Sequence, residues 1–145
     1  VFPVSGVLSS WEIMDVLTPG SHGSTWGGNS AGMAVLEAVC DLLVEENFSQ
    51  KSKDFGKFFM DGLKEIQEKH PEKIKEVRGR GLLIALELSE KARPYTEALM
   101  NNSPIGVLAK ETHEFSIRFV PPLVVTKKDL QWALSIIDKV FAEVN

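Results

Sequence analysis

The chain has 145 residues, 43% of them hydrophobic and 25% charged, with a net charge of −4; that suffices for one domain with a real core. The acidic balance and the dispersed Lys and Arg exclude nucleic acid as the main partner, because a phosphate backbone demands clustered cations. No apolar run approaches the ~20 residues of a membrane span, no signal-peptide pattern is visible, and the single cysteine, Cys40, precludes an internal disulfide and fits a reducing compartment; a cytoplasmic location is the expectation.

The opening VFPVSGVLSS (1–10) is rich in β-branched and aromatic residues and predicts a strand, with Pro3 at a strand start or irregular edge. The chain begins with Val1 inside this strand-like run, so the expectation is a piece of a longer protein. Ser10 is placed to cap a short helix, WEIMDVL, which Pro19-Gly20 stops. The loop SHGSTWGGNSAG (21–32) follows, with four glycines and three serines beside Thr25, Asn29 and His22. Gly23, Gly27 and Gly28 let the backbone approach a ligand, and Ser24 and Thr25 offer hydroxyl donors. The next helix adds unpaired N–H groups and a partial positive charge at its start. Together these suit a phosphate, although no Gly-Lys-Ser/Thr completes a Walker sequence; a flexible connection is the other reading.

Asn29 predicts the N-cap of a helix over 30–46. Its apolar residues cover most of the circumference, so it is expected to lie buried between layers, with Cys40 as a small buried hydrophobe. A second helix, 49–69, carries Phe55, Phe58, Phe59, Leu63 and Ile66 at i, i+3, i+4 spacing and ends at Pro71. Strands are predicted at 73–77, 82–88, 106–111 and 116–121, with a helix at 92–102 between the second and third. Thr126 and Asp129 form a capping box for a last helix over 127–144. A break falls near Glu46–Ser49. The residues after it predict a small α/β domain, a short antiparallel sheet with helices on one face; those before it have too little sheet to close a core.

Few residues suggest chemistry. Arg118, in SIRFVPP, points opposite to Ile117 and Phe119 in a strand, and a cation there needs either a carboxylate partner or solvent at a sheet edge. Gly79 and Gly81, in VRGRGLL, predict a turn with unusual dihedrals, flanked by structural or solvated Arg78 and Arg80. His22, His70 and His113 show no metal-ligand spacing.

Five blocks, VFPVSGVL, PGSHGSTWGGN, EVRGRGLL, GVLAKETH and IRFVPPLVVTKKDL, occur in this order and at similar spacing in the ornithine aminotransferases. The chain resembles that family of fold type I, class III pyridoxal-phosphate enzymes over nearly its whole length. The resemblance implies the tail of a large cofactor-binding domain (1–48) followed by a small C-terminal domain (49–145). It implies transfer of the δ-amino group of L-ornithine to 2-oxoglutarate through pyridoxal 5'-phosphate, giving glutamate 5-semialdehyde and glutamate, in proline and arginine metabolism. It implies a homodimer with shared active sites, in which Thr25, with Ser24 beside it, reaches the cofactor phosphate of the other subunit. Arg118 matches the arginine that faces the substrate carboxylate and pairs alternately with a glutamate upstream. The chain departs from the family at Ser30, where proline is usual, and at Trp26, where Tyr or Phe is usual. No lysine here matches the Schiff-base lysine, which is expected upstream, so no catalytic residue is assigned. Acetylornithine or another ω-amino acid is the alternative donor, and a non-catalytic module is the alternative for the chain in isolation.

Overall fold

The computed structural model describes residues 3–102 and 104–144. The chain divides into two compact units, one ending at Asn47 and one beginning at Phe48.

The first unit holds α1 (Trp11–Met14) and α2 (Ser30–Glu45). Positions 1 and 2 of the expected first strand lie outside the described residues, and 3–10 form no strand. A strand requires a ladder partner, and the described part of this unit supplies none. Ser10 opens α1 through its backbone carbonyl, which accepts from Ile13 and Met14; its hydroxyl makes no cap hydrogen bond. In α2 the Asn29 side chain accepts from the Gly32 N–H at 2.7 Å, satisfying an orphan donor of the first turn.

The burial of α2 departs from expectation. Gly32 is its buried residue, while Met33, Val35, Leu36, Val39, Leu42 and Leu43 are each at least 37% exposed. Cys40 is exposed too, not a buried hydrophobe. An apolar helix is buried only where another layer lies over it. Among the described residues the first unit contributes neither a sheet nor a second long helix.

The second unit has its own core. Its elements are α3 (Phe48–Lys69), β1 (Ile74–Arg80), β2 (Leu83–Leu88), α4 (Arg93–Asn101), β3 (Lys110–Thr112), β4 (Ser116–Phe119) and α5 (Lys127–Glu143). The strands form one antiparallel sheet in the order β1-β2-β4-β3, so this unit is the small α/β fold with a short antiparallel sheet that the sequence predicts. Alternation holds on the inner strands: Ile84, Leu86 and Leu88 of β2 and Ile117 and Phe119 of β4 are buried, and α3, α4 and α5 supply Phe59, Leu63, Leu99, Ile137 and Phe141 to the same cluster. Each such side chain contributes about 1.5–3 kcal/mol by leaving water. Phe59 meets Phe119 edge to face at 5.8 Å between centroids, and Tyr95 stacks on Phe141 at 4.6 Å. Burial, reinforced by its hydrogen bond to Glu90, pushes the Tyr95 phenol above its usual pKa.

Termini and turns follow from local chemistry. The Thr126 hydroxyl accepts from Asp129 N–H at 3.2 Å, and the Asp129 carboxylate accepts from Thr126 N–H at 3.0 Å, closing the capping box of α5. At the other end Lys73 Nζ donates to the carbonyls of Phe141 and Val144. Gly81 turns β1 into β2 at φ +55°. A Cβ on Gly56 would lie 2.0 Å from the Gly81 carbonyl oxygen, so α3 meets this turn backbone to backbone. Gly79 does not share the positive φ expected of it; a Cβ there would lie 2.5 Å from the Leu83 carbonyl oxygen, so lack of space demands glycine.

The expected strand 106–111 is shortened to Lys110–Thr112. Its first part is drawn to α4 instead, where Val107 N–H donates to the Leu99 carbonyl at 2.8 Å. In the β3–β4 turn His113 and Glu114 adopt φ of 52° and 60°, unusual for non-glycine residues. The turn is tied down by Ala92 N–H donating to the Glu114 carbonyl at 2.7 Å and Leu88 N–H donating to the Phe115 carbonyl at 2.8 Å.

Candidate functional site

In the first unit the loop before α2 is built from short-range hydrogen bonds. Ser24 Oγ accepts from Gly27 N–H at 2.9 Å, and Asn29 Nδ2 donates to the Trp26 carbonyl at 2.7 Å. Gly28 sits at φ 69°, and a Cβ on Gly27 would crowd Ser24 Cβ at 3.0 Å. The two hydroxyls singled out from the sequence therefore differ. Ser24 is committed as the acceptor that shapes the turn. Thr25 is exposed, and its hydroxyl has no hydrogen-bond partner among the described residues. Ser24, Trp26, Gly27, Gly28 and Asn29 line a depression of about 200 Å³. Thr25 is not part of that lining, and the Gly27 and Gly32 N–H groups are already bound to Ser24 and Asn29; the Thr25 hydroxyl is the loop donor that fits a phosphate near the start of α2.

In the second unit Arg118 lies on β4 between β2 and β3. The edge-strand reading therefore fails: this arginine stands in the middle of the sheet, on the face opposite the core. Pairing registers carry it into a row across all four strands, Arg78–Ala85–Arg118–Lys110. The next row on that face reads Glu76–Glu87–Ser116–Thr112. Arg78 is neutralised there, with Glu76 at 3.2 Å and Glu87 at 3.0 Å, so its role is structural. The Ser116 hydrogen bond holds the Glu87 carboxyl below its ordinary pKa; desolvation opposes this and Arg78 adds to it. Arg118 has no acidic partner among the described residues. With Arg78, Arg80, Leu83 and Ala85 it borders a depression of about 340 Å³. An exposed guanidinium beside a small alanine is free to take a carboxylate through two parallel hydrogen bonds.

Sequence reasoning missed Lys110, Ala85 and Glu87 as members of this face. The signal was present as strand alternation, but only the registers align the strands. Among the described residues no three His, Cys, Asp or Glu gather as a metal site, and no helix is long and apolar enough to cross a membrane. His22 lies exposed in the loop, and His70 closes α3, 3.8 Å from Asp138.

Residues 2–141 match the class-III aminotransferases, and the chain belongs to that family. It is 51% identical over 144 residues to the ornithine aminotransferase of Geobacillus sp. (strain WCH70), covering 99% of this chain and 35% of the relative. It is 53% identical over 142 residues to that of Staphylococcus epidermidis, covering 98% and 34%. Among solved structures, the acetylornithine aminotransferase of Elizabethkingia anophelis superimposes with a TM-score of 0.79 at 38% identity, covering 91% of this chain and 33% of that one. An ornithine aminotransferase of Toxoplasma gondii gives 0.78 at 37%, covering 90% and 31%. The chain thus spans about a third of the length of the relatives it matches.

Proposed function

We propose that this chain forms the C-terminal portion of an ornithine aminotransferase that moves the δ-amino group of L-ornithine to 2-oxoglutarate with pyridoxal 5'-phosphate. The observation that carries the reading is an identity of 50–53% over nearly the whole chain to relatives of that name. When bound, the cofactor supplies the electron sink and the carrier for the amino group. The roles of this chain's residues are narrower. Thr25 donates its free hydroxyl to the cofactor phosphate of a partner subunit in a homodimer with shared active sites, and Ser24 holds the loop in shape for it. Arg118 binds and orients a carboxylate of the amino acid or 2-oxo acid. The lysine that carries the cofactor comes from outside this chain. The proposed setting is cytoplasmic, in proline and arginine metabolism.

Acetylornithine is the second reading, favoured by the Elizabethkingia structure, which superimposes as well as the Toxoplasma one. Steady-state assays of the complete enzyme on L-ornithine and N-acetylornithine decide between them: ornithine is expected to be preferred, and a preference for the acetylated amine overturns the reading. A third expectation concerns the chain alone, as a non-catalytic module. Borohydride reduction with pyridoxal phosphate, followed by peptide mapping, is expected to label no lysine of this chain stoichiometrically.

A further inference from the structure

Lys110 and Arg118 are register partners across β3 and β4. Partners of this kind hold their side chains on one face with Cβ atoms about 5 Å apart, and like charges so placed destabilise a sheet. The same row shows the ordinary remedy: Arg78 is flanked by Glu76 and Glu87. Lys110 and Arg118 lack it. Both are exposed, and neither has an acidic partner among the described residues. Glu111, next along the strand, pairs with buried Ile117 and so belongs to the other face. On the far side of Arg118 stands Ala85, which adds no charge and leaves room. Among the described residues the sheet thus sets two cations side by side, with no carboxylate of their own, at the arginine assigned to the substrate.

We propose that Lys110 is a specificity-determining residue: it and Arg118 form a two-cation seat that favours a dicarboxylate, such as a five-carbon 2-oxo diacid, over a monocarboxylate. This rests on the reading of Arg118 as the carboxylate-binding arginine. Arg118 supplies the directional hydrogen bonds. Lys110, a compact charge on a flexible stem, supplies attraction for the second negative charge.

The test uses the complete enzyme and its Lys110→Gln, Lys110→Arg and Arg118→Lys variants. The readouts are KM and kcat for 2-oxoglutarate and the inhibition constants of glutarate and butyrate, a diacid and a monoacid of similar build. Lys110→Gln is expected to raise KM for 2-oxoglutarate and the glutarate constant about five- to tenfold. The butyrate constant and kcat should stay near wild type, and Lys110→Arg should restore the diacid preference. Equal losses for both inhibitors, or no loss in Lys110→Gln while Arg118→Lys impairs both, overturn the role of Lys110 and leave that of Arg118 standing. No change in Arg118→Lys overturns the underlying assignment as well. Because Lys110 is exposed at the sheet surface and Lys110→Gln relieves a like-charge pair, an unaltered or slightly raised melting temperature is expected; a large drop would mark the residue as structural and refute the proposal.

Discussion

The Ser116 hydroxyl donates to Glu87 Oε2 at 2.5 Å, and Arg78 Nη2 approaches the same oxygen at 3.0 Å from the other side. One carboxylate thus links β1, β2 and β4 on the open face of the sheet. Its pKa lies below the ordinary glutamate value. A carboxyl group with a depressed folded-state pKa adds stability above its unfolded value, and that stability is lost as pH falls through the folded value. Ser116→Ala removes the largest cause of the depression. The stability gap between wild type and variant is therefore expected to be full near pH 7 and to close as pH falls below about 4. Urea midpoints measured across that range check it; a gap independent of pH would show that Ser116 acts only through packing.

Gly56→Ala is expected to destabilise the protein despite the better helix propensity of alanine. The propensity gain is about 1 kcal/mol. Against it, the new methyl would lie 2.0 Å from a backbone oxygen of Gly81, and backbone cannot yield as a side-chain tip can. Ser52 Oγ, which accepts from Leu82 N–H at 3.2 Å, further pins that turn. A net loss of roughly 1–3 kcal/mol follows from overpacking. Chemical denaturation measures it, and equal or greater stability would sink the close-approach argument.

The two loop hydroxyls separate by experiment. In the complete enzyme Thr25→Ala is expected to weaken cofactor retention by about 1–3 kcal/mol, the scale of a hydrogen bond to a charged group. Ser24→Ala removes the acceptor of Gly27 N–H and is expected to cost less affinity while loosening the loop. Cofactor dissociation constants by absorbance titration give both values. Unchanged affinity in Thr25→Ala would refute the phosphate contact.

Arg118→Ala is expected to lower kcat/KM by roughly 2–4 kcal/mol in free-energy terms, as for truncation of one partner of a charged pair. Steady-state kinetics on donor and acceptor check it. Wild-type values would mean a solvated arginine with no substrate contact.

Much of the second unit was legible because its signals are local. Phe59, Leu63 and Ile66 mark the core face of α3 by spacing alone, and Thr126 with Asp129 announces the start of α5. Asn29 does the same for α2. What the sequence could not reveal depends on distant neighbours. The apolar circumference of α2 predicts burial, yet the layer that would cover it is absent from the described residues. The run at 106–109 has strand composition, but its backbone bonds to α4 win. Arg118 reads equally as a surface or interior cation until strand order places β3 beside it. Thr25 and Ser24 look interchangeable in the sequence, and only the Gly27 hydrogen bond tells them apart.

The turn at His113 and Glu114 governs more than the path of the chain. Lys110 faces Arg118 because this turn sets the offset of β3 against β4. Shifting that offset by one residue would bring Glu111 across from the arginine, and side-chain alternation would reverse along the shifted strand. The guanidinium would then find its counter-ion within its own hairpin and be mute toward any incoming anion. Two left-handed residues, neither of them glycine, thereby keep a charge available.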